Sequence, residues 1–376
     1  MSNQETTTAI DALRVVTKDT RDVSDLVVLM KEGRLNPDDV IAVTGKTAGW
    51  GPSYGASRID ADHAVRRFLL DHGTRSAADI DGIPMAFSAG VGTILTPHLV
   101  VFTRTEAQPA EDGLPRLAVG TGRSPTMLPE WIGTTMAVTA NADAVISASA
   151  DAQLRPQDVE YVVGKAYFPT REAMGAARVE RSDAPDFDDA TLFRLGSGSA
   201  ALGVGTALDG FDEVADADIA RNAQMWSGKV AISANAWEDV GGGTPQTQLM
   251  VLGNKPGAGG RLRVGHAVVK DLLDVDAVPR ALRRAGLDVG DGPLKPDVAA
   301  RVVAVYMKAN ETVMPELRGR RQIIDDPAYA ENLKTVLASA FAAMLQDNLI
   351  WISGGGVQQG PPGGGTLAII VDVGEA

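Results

Sequence analysis

The chain has 376 residues, 44% of them hydrophobic and 22% charged, which is enough for two or three globular units and excludes disorder as the main state. A formal charge of −13, from 35 Lys and Arg against 48 Asp and Glu, repels phosphate backbones and anionic lipid, so neither nucleic acid nor a membrane is expected as a partner and a small molecule or another protein chain is. Cysteine is absent, which removes disulfides, thiolate nucleophiles and Cys-ligated metal centres and leaves any nucleophile to be an oxygen or an amine.

The first dozen residues, MSNQETTTAIDA, read as a short frayed N-terminus without the basic start and apolar core of a targeting segment. No later run approaches the about eighteen apolar residues of a membrane span, and a cytoplasmic location is expected. The first strong pattern is Leu35-Asn36-Pro37-Asp38-Asp39-Val40, continuing through Ile41-Ala42-Val43 to Lys46. After it come a helix-compatible stretch from Asp60 to His72, an apolar run Ile83–Phe87 that ends on Ser88, and a second run Leu99–Phe102. Turn formers and charge at Glu106–Gly113 then interrupt the pattern.

The same succession returns twice. Leu154-Arg155-Pro156-Gln157-Asp158-Val159 leads through Tyr161-Val162-Val163 to Lys165, followed by helix-compatible Ala215–Met225, Val230–Ile232 before Ser233, and Leu249–Leu252. Past the Gly-rich stretch Gly253–Gly260, Leu294-Lys295-Pro296-Asp297-Val298 leads through Val302–Tyr306 to Lys308. Pro327–Asp347, Leu349–Ile352 before Ser353, and Leu367–Val371 complete it. Short apolar runs bounded by Gly and Pro predict buried strands, and the Ala-rich segments between them predict helices. A period of roughly 120 to 140 residues is a domain and not a solenoid repeat. The expected fold class is α/β: three homologous repeat domains, residues 1–106, 113–253 and 260–376, around a pseudo-threefold axis that brings three equivalent strand ends together.

Those strand ends carry the candidate chemistry. Of only ten lysines in the chain, three occupy equivalent places just after apolar strands. A lysine there is partly desolvated, which lowers its pKa and lets it act as an amine base for a neighbouring serine hydroxyl. The matching serines are followed by small residues, Ser88-Ala89-Gly90, Ser233-Ala234-Asn235 and Ser353-Gly354-Gly355, which allow backbone N–H groups to approach a developing oxyanion. For one pair, turn chemistry and a solvent-seeking lysine explain as much. Three pairs in register favour a site.

Other chemistries fit less well. Val43-Thr44-Gly45-Lys46-Thr47 resembles the end of a phosphate loop, but the glycine that should precede it falls on Val40. Four histidines without an H-x-H or H-E-x-x-H spacing do not supply a zinc hydrolase. Gly51-Pro52-Ser53-Tyr54-Gly55 has the form of a nucleophile elbow without its preceding strand, so a plain turn is expected and a serine–histidine triad is the minor alternative. Gly196-Ser197-Gly198-Ser199 lacks the context of a dinucleotide loop. The C-terminal loop from Ser353 to Gly365 must turn sharply, and inward carbonyls there either hold a hard cation such as Mg²⁺ or Ca²⁺ or simply shape a Gly/Pro loop.

Over nearly its whole length the sequence resembles the ring-opening cyclic amide hydrolases, the family of cyanuric acid hydrolase and barbiturase. The resemblance rests on Gly45-Lys46-Thr47 with Arg58, Ser88 with Pro97-His98, Ala201-Leu202-Gly203-Val204, Ser353-Gly354-Gly355, Gln359-Gly360-Pro361 and Gly363-Gly364-Gly365. It implies a central β-barrel surrounded by helices, a homo-tetramer or other homo-oligomer, and one site to which each repeat lends a Ser, a Lys and usually an Arg. The implied catalytic set is Lys46, Lys165 and Lys308 with Ser88, Ser233 and Ser353. The implied substrate contacts are Arg58, Arg194, Ser197, Lys334, Ala89 and Gly354. A structural Mg or Ca would draw on Glu311, Gly356, Gln359 and Pro361, with no cofactor needed for the chemistry.

The departures bear on specificity. Ser197, with Arg194 three residues upstream, and Lys334 stand where the family places arginines, and Asn310 stands where it places an acid beside the metal. An Arg fork gives two parallel hydrogen bonds to a planar imide, which Ser and Lys do not. The expectation is therefore a Ser–Lys hydrolase of a cyclic amide or imide, a small planar heterocycle differing from cyanuric and barbituric acid, with Ser233 as nucleophile and Lys165 as base. Ser88 with Lys46 ranks next. The alternatives are a cyanuric acid hydrolase or barbiturase proper, and a non-catalytic relative that only binds a heterocycle.

Overall fold

The computed structural model describes residues 6–49, 53–92, 94–180, 185–236, 245–290, 292–321 and 329–374. In chain order the first stretch comprises β1 (Thr7–Val16), α1 (Ser24–Lys31), β2 (Val40–Thr47), α2 (Ser53–His72), α3 (Ala77–Asp81), β3 (Met85–Ala89) and β4 (His98–Ala107). The second comprises β5 (Arg116–Arg123), α4 (Thr135–Asp151), β6 (Val159–Phe168), α5 (Arg171–Glu180), α6 (Asp189–Val204), β7 (Val230–Ala236) and β8 (Gln248–Lys255). The third comprises β9 (Leu262–Val269), α7 (Ala277–Arg284), α8 (Pro296–Ala299), β10 (Val302–Ala309), β11 (Glu316–Leu317), β12 (Arg320–Arg321), α9 (Tyr329–Leu345), β13 (Trp351–Ser353) and β14 (Gly365–Asp372).

Each stretch builds a four-stranded sheet of the same order, β1-β4-β2-β3, β5-β8-β6-β7 and β9-β14-β10-β13. In each, two antiparallel pairings are followed by one parallel pairing at the edge. The Leu-x-Pro segments feed the central strands. Leu35, Leu154 and Leu294 are buried anchors, and the proline opens a single helical turn, where its missing N–H costs nothing. A register shift follows at Val40/Ala42, Val159/Tyr161 and Val302/Ala304, one extra residue that twists the strand.

Both faces of every sheet are covered. On one face each sheet meets its own helices, as Val43, Val65, Phe68 and Phe87 do in the first and Val305, Met307, Leu337 and Phe341 in the third. On the other face, Phe102, Val119, Tyr161, Leu252, Tyr306, Trp351 and Ile370 from all three sheets form one apolar cluster. Truncating a buried aromatic of this kind to alanine costs about 3–5 kcal/mol.

Several expectations change. No closed barrel forms among the described residues: the sheets remain separate, because side chains take the backbone groups along their seams. Trp351 Nε1 donates to the Ala86 carbonyl at 2.9 Å. Asn254 accepts from the Val264 N–H at 2.9 Å and donates to its carbonyl at 2.7 Å, and Arg104 donates to the Val119 carbonyl. Residues 7–12 are not frayed but belong to β1, which pairs with the whole of β4 from Thr7↔Ala107 to Val16↔His98. Ala215–Met225 holds only a short 3₁₀ turn, at Asp216–Asp218, because Asp218 accepts from the Ala215 N–H and from Asn222; such local bonds compete with a helix. The longer of the two helices between β6 and β7 is α6, and it contains Gly196-Ser197-Gly198-Ser199, buried at mid-helix. Ser53 of the elbow-like string opens α2, while Gly51 and Pro52 lie outside the described residues.

Candidate active site

Period-two alternation places each lysine on the inner face of its sheet. Ala42-x-Thr44-x-Lys46, Tyr161-x-Val163-x-Lys165 and Ala304-x-Tyr306-x-Lys308 run from the shared apolar cluster to its rim. The serines arrive the same way on the parallel edge strands, where Lys46 stands directly opposite Ser88, Lys165 opposite Ser233 and Lys308 opposite Ser353. The antiparallel neighbours complete the layer with His98, Gln248 and Thr366. All six lysines and serines are buried.

The three couples differ in their surroundings. Lys46 donates to Ser88 Oγ at 3.1 Å, to the Ala89 carbonyl at 3.0 Å and to the Ile352 carbonyl at 2.5 Å; the Ser88 hydroxyl also donates to Ile352, at 2.7 Å. Three acceptors around one amine favour the ammonium form. Lys308 donates to Ser353 Oγ at 2.9 Å. Burial pushes its pKa down to about 7, with Lys334 and Arg58 acting in the same direction and Glu311 against them. The Ser353 hydroxyl donates to the Gly354 carbonyl at 3.3 Å. Lys165 Nζ lies 5.5 Å from the centroid of the Phe87 ring.

Around Lys308 the fold therefore collects Arg58 from α2, Lys334 from α9 and Glu311, close enough to act on its charge. Gly354 lies against the Glu311 carboxylate, and a Cβ there would strike Oε1. Ala89 contributes its carbonyl to Lys46. Two other expected substrate contacts are turned elsewhere. Arg194 is exposed and donates to the Ala220 carbonyl at 3.2 Å, while the Ser197 hydroxyl donates to the Gly355 carbonyl at 2.8 Å and accepts from Gln359 at 2.9 Å.

Several of the residues expected to hold a hard cation have protein partners. The Gln359 carboxamide is spent on Ser197 and on both main-chain groups of Ile232. The Gly356 and Pro361 carbonyls accept from the N–H groups of Gln359 and Gly364. Asn310 donates its amide to the Gly360 carbonyl at 2.8 Å. Among the described residues no three His, Asp or Glu side chains gather as a ligand set. Sequence reasoning missed Phe87, which had read only as part of a strand run, and used His98 to mark the resemblance without giving it a place in the site. Burial lowers the His98 pKa to about 4, so this imidazole beside Lys46 stays neutral near pH 7.

Comparison with known proteins identifies the family. The family model described as amidohydrolase ring-opening protein matches residues 11–372. Barbiturase 1 of Nocardioides sp. is 32% identical over 97% of this chain and 99% of its own length. A cyclic amide hydrolase of Azorhizobium caulinodans is 34% identical over 93% and 96%, and a cyanuric acid amidohydrolase of Ectopseudomonas oleovorans is 32% identical over the same shares, 93% and 96%. The crystal structure of the cyanuric acid hydrolase from A. caulinodans superposes with a TM-score of 0.83 at 28% identity, covering 98% of this chain and 100% of that one. No helix among the described residues is long and apolar enough to cross a membrane.

Proposed function

The chain belongs to the ring-opening amidohydrolase family, and from that premise we propose that it hydrolyses a C–N bond of a small cyclic amide or imide through a Ser–Lys couple. The observation that carries this reading is the register: three lysines opposite three serines, all buried at one rim of a core that three sheets share.

Ser233 is the nucleophile and Lys165 its base. Lys165 as a neutral amine takes the hydroxyl proton while Oγ bonds to a ring carbonyl carbon. The tetrahedral adduct collapses as the ring C–N bond breaks, with the proton passing to the departing nitrogen. Water then cleaves the ester, releasing the opened chain as its acid and restoring the serine hydroxyl. The other hydroxyls support the choice, since those of Ser88 and Ser353 are directed at main-chain carbonyls. Lys46, whose three N–H groups are spent on protein acceptors, offers a ring carbonyl oxygen the field of its charge and not a hydrogen bond. A second reading, Ser353 with Lys308, is favoured by their 2.9 Å contact and by a Lys308 pKa of about 7. The substrate is a ring other than cyanuric or barbituric acid: Arg58 keeps a guanidinium near Lys308, while Ser197 and Lys334 replace the forks that would hold a fully oxygenated ring.

The test is release of ring-opened product from cyanuric acid, barbituric acid and simpler imides such as glutarimide. Ser233→Ala lowers kcat by about a thousandfold or more on the ring that turns over, and Ser88→Ala by far less. A collapse confined to Ser353→Ala transfers the role to the second couple. Saturable binding with no turnover on any ring makes the protein a binder and ends the reading.

A further inference from the structure

We propose that Gln359 is a positioning residue for the Ser233 hydroxyl, acting through the backbone of Ile232; this rests on Ser233 being the nucleophile. Ser233 sits on β7, the edge strand of the second sheet. In a strand the N–H and C=O of one residue point to the same side, and the two groups of Ile232 face away from β6. Among the described residues no strand pairs with β7 on that side. The Gln359 side chain does so as a peptide unit would: Oε1 accepts from the Ile232 N–H at 2.8 Å and Nε2 donates to the Ile232 carbonyl at 3.0 Å. The second amide hydrogen goes to Ser197 Oγ at 2.9 Å. The carboxamide is fully buried, so each bond is made without competing water.

The equivalent carbonyl in the third unit is treated differently. Ile352, which precedes Ser353, gives its carbonyl to Lys46 and Ser88 of the first unit. At Ile232 the carboxamide occupies that acceptor. Gln359 thus fixes the height and tilt of the strand next to the reacting hydroxyl. Asn254 clamps both main-chain groups of Val264 in the same manner, so the device recurs at another seam of this fold. Reacting groups must be held within a few tenths of an ångström for full rate, and Ser233, midway along an edge strand, has a pairing strand on one side only.

The adjacent Gln358 supplies the control. Its carboxamide accepts from the Ala220 N–H and donates to the carbonyls of Asp218 and Asn222, so it ties the same loop down without touching Ile232. The experiment measures kcat, KM and melting temperature for Gln359→Met, Gln359→Glu, Gln358→Met and Ser233→Ala, on whichever of cyanuric acid, barbituric acid and glutarimide turns over fastest. The expected result is a kcat lower by at least about tenfold in both Gln359 variants with KM within about threefold, while Gln358→Met loses melting temperature and keeps kcat. Equal losses of kcat in the Gln358 and Gln359 variants, a rise in KM in place of a fall in kcat, or failure of both Gln359 variants to fold overturns the proposal. Turnover that survives Ser233→Ala sinks the choice of nucleophile instead. An inactive Ser233→Ala beside normal Gln359 variants sinks only the positioning role.

Discussion

Lys308 Nζ and Ser353 Oγ lie 2.9 Å apart at directly opposite positions of two parallel strands, and the lysine has a pKa of about 7. Burial therefore favours the free amine far more in this couple than in an exposed lysine. A ¹³C-lysine NMR titration will show one Cε resonance moving near pH 7, and Lys308→Arg will remove it. The sign for stability follows from a folded pKa below the 10.5 of a free lysine. Protonation favours the unfolded chain, so the cost is fully present below about pH 7 and is relieved as pH rises towards 10.5.

Gly354→Ala tests the arrangement of charge around that lysine. A Cβ at this position meets the Glu311 carboxylate, which is the charge that raises the Lys308 pKa against burial, Lys334 and Arg58. Displacing it moves the Lys308 midpoint below 7 in the same titration. An upward shift or none means that Glu311 does not act on Lys308.

Lys46→Met keeps the apolar stem and removes three donated hydrogen bonds, one of which joins the first sheet to Ile352 of the third. The Ala89 carbonyl loses its donor while Ile352 keeps that of Ser88; a buried carbonyl without a donor costs about 1–3 kcal/mol, and denaturant unfolding should show a loss of that order. Turnover should fall as well, through loss of a fixed positive charge in the site. A variant as stable as the parent chain contradicts the bonds described.

Glu160 on β6 accepts from His266 at 2.6 Å and, on two oxygens, from Arg284. Burial pushes its carboxyl up, but these partners outweigh it and hold the pKa at about 2. A depressed carboxyl stabilises the fold above its ordinary value of 4.5 and loses that contribution as pH falls towards 2. Acid unfolding followed by circular dichroism will show the parent chain losing more stability over that interval than Glu160→Gln. Parallel curves would mean that the cluster does not link the second and third units.

What the sequence made legible were the features that local pattern specifies. An apolar run closed by a lone Lys or Ser marks a buried strand whose last inward residue is polar, and all three couples were visible on that ground. The opening strand of each unit escaped notice because its alternation is diluted. In β5, Gly120 and Gly122 stand where strand formers are expected, since a Cβ at either would strike the backbone of α4. The run Gly196-Ser197-Gly198-Ser199 reads as a loop for a similar reason: its small residues let α6 pack closely against loop residues such as Ala220, and packing overrides propensity. The clamp by Gln359 joins positions 127 apart in sequence, and no local spacing announces it. The barrel implied by resemblance failed at the seams, where Trp351, Asn254 and Arg104 do what a strand ladder would have done.

The common cluster of Phe102, Tyr161, Tyr306 and their neighbours has a consequence for how the chain comes apart. Each third of the polypeptide owns a hydrophobic wall that nothing in its own sequence can roof. Cut free, such a third would seek two more copies of itself, and a trio of identical pieces could enclose a similar interior. Joined in one chain, the three parts have no separate lives: heating should melt them in a single step, and none should survive the loss of either neighbour.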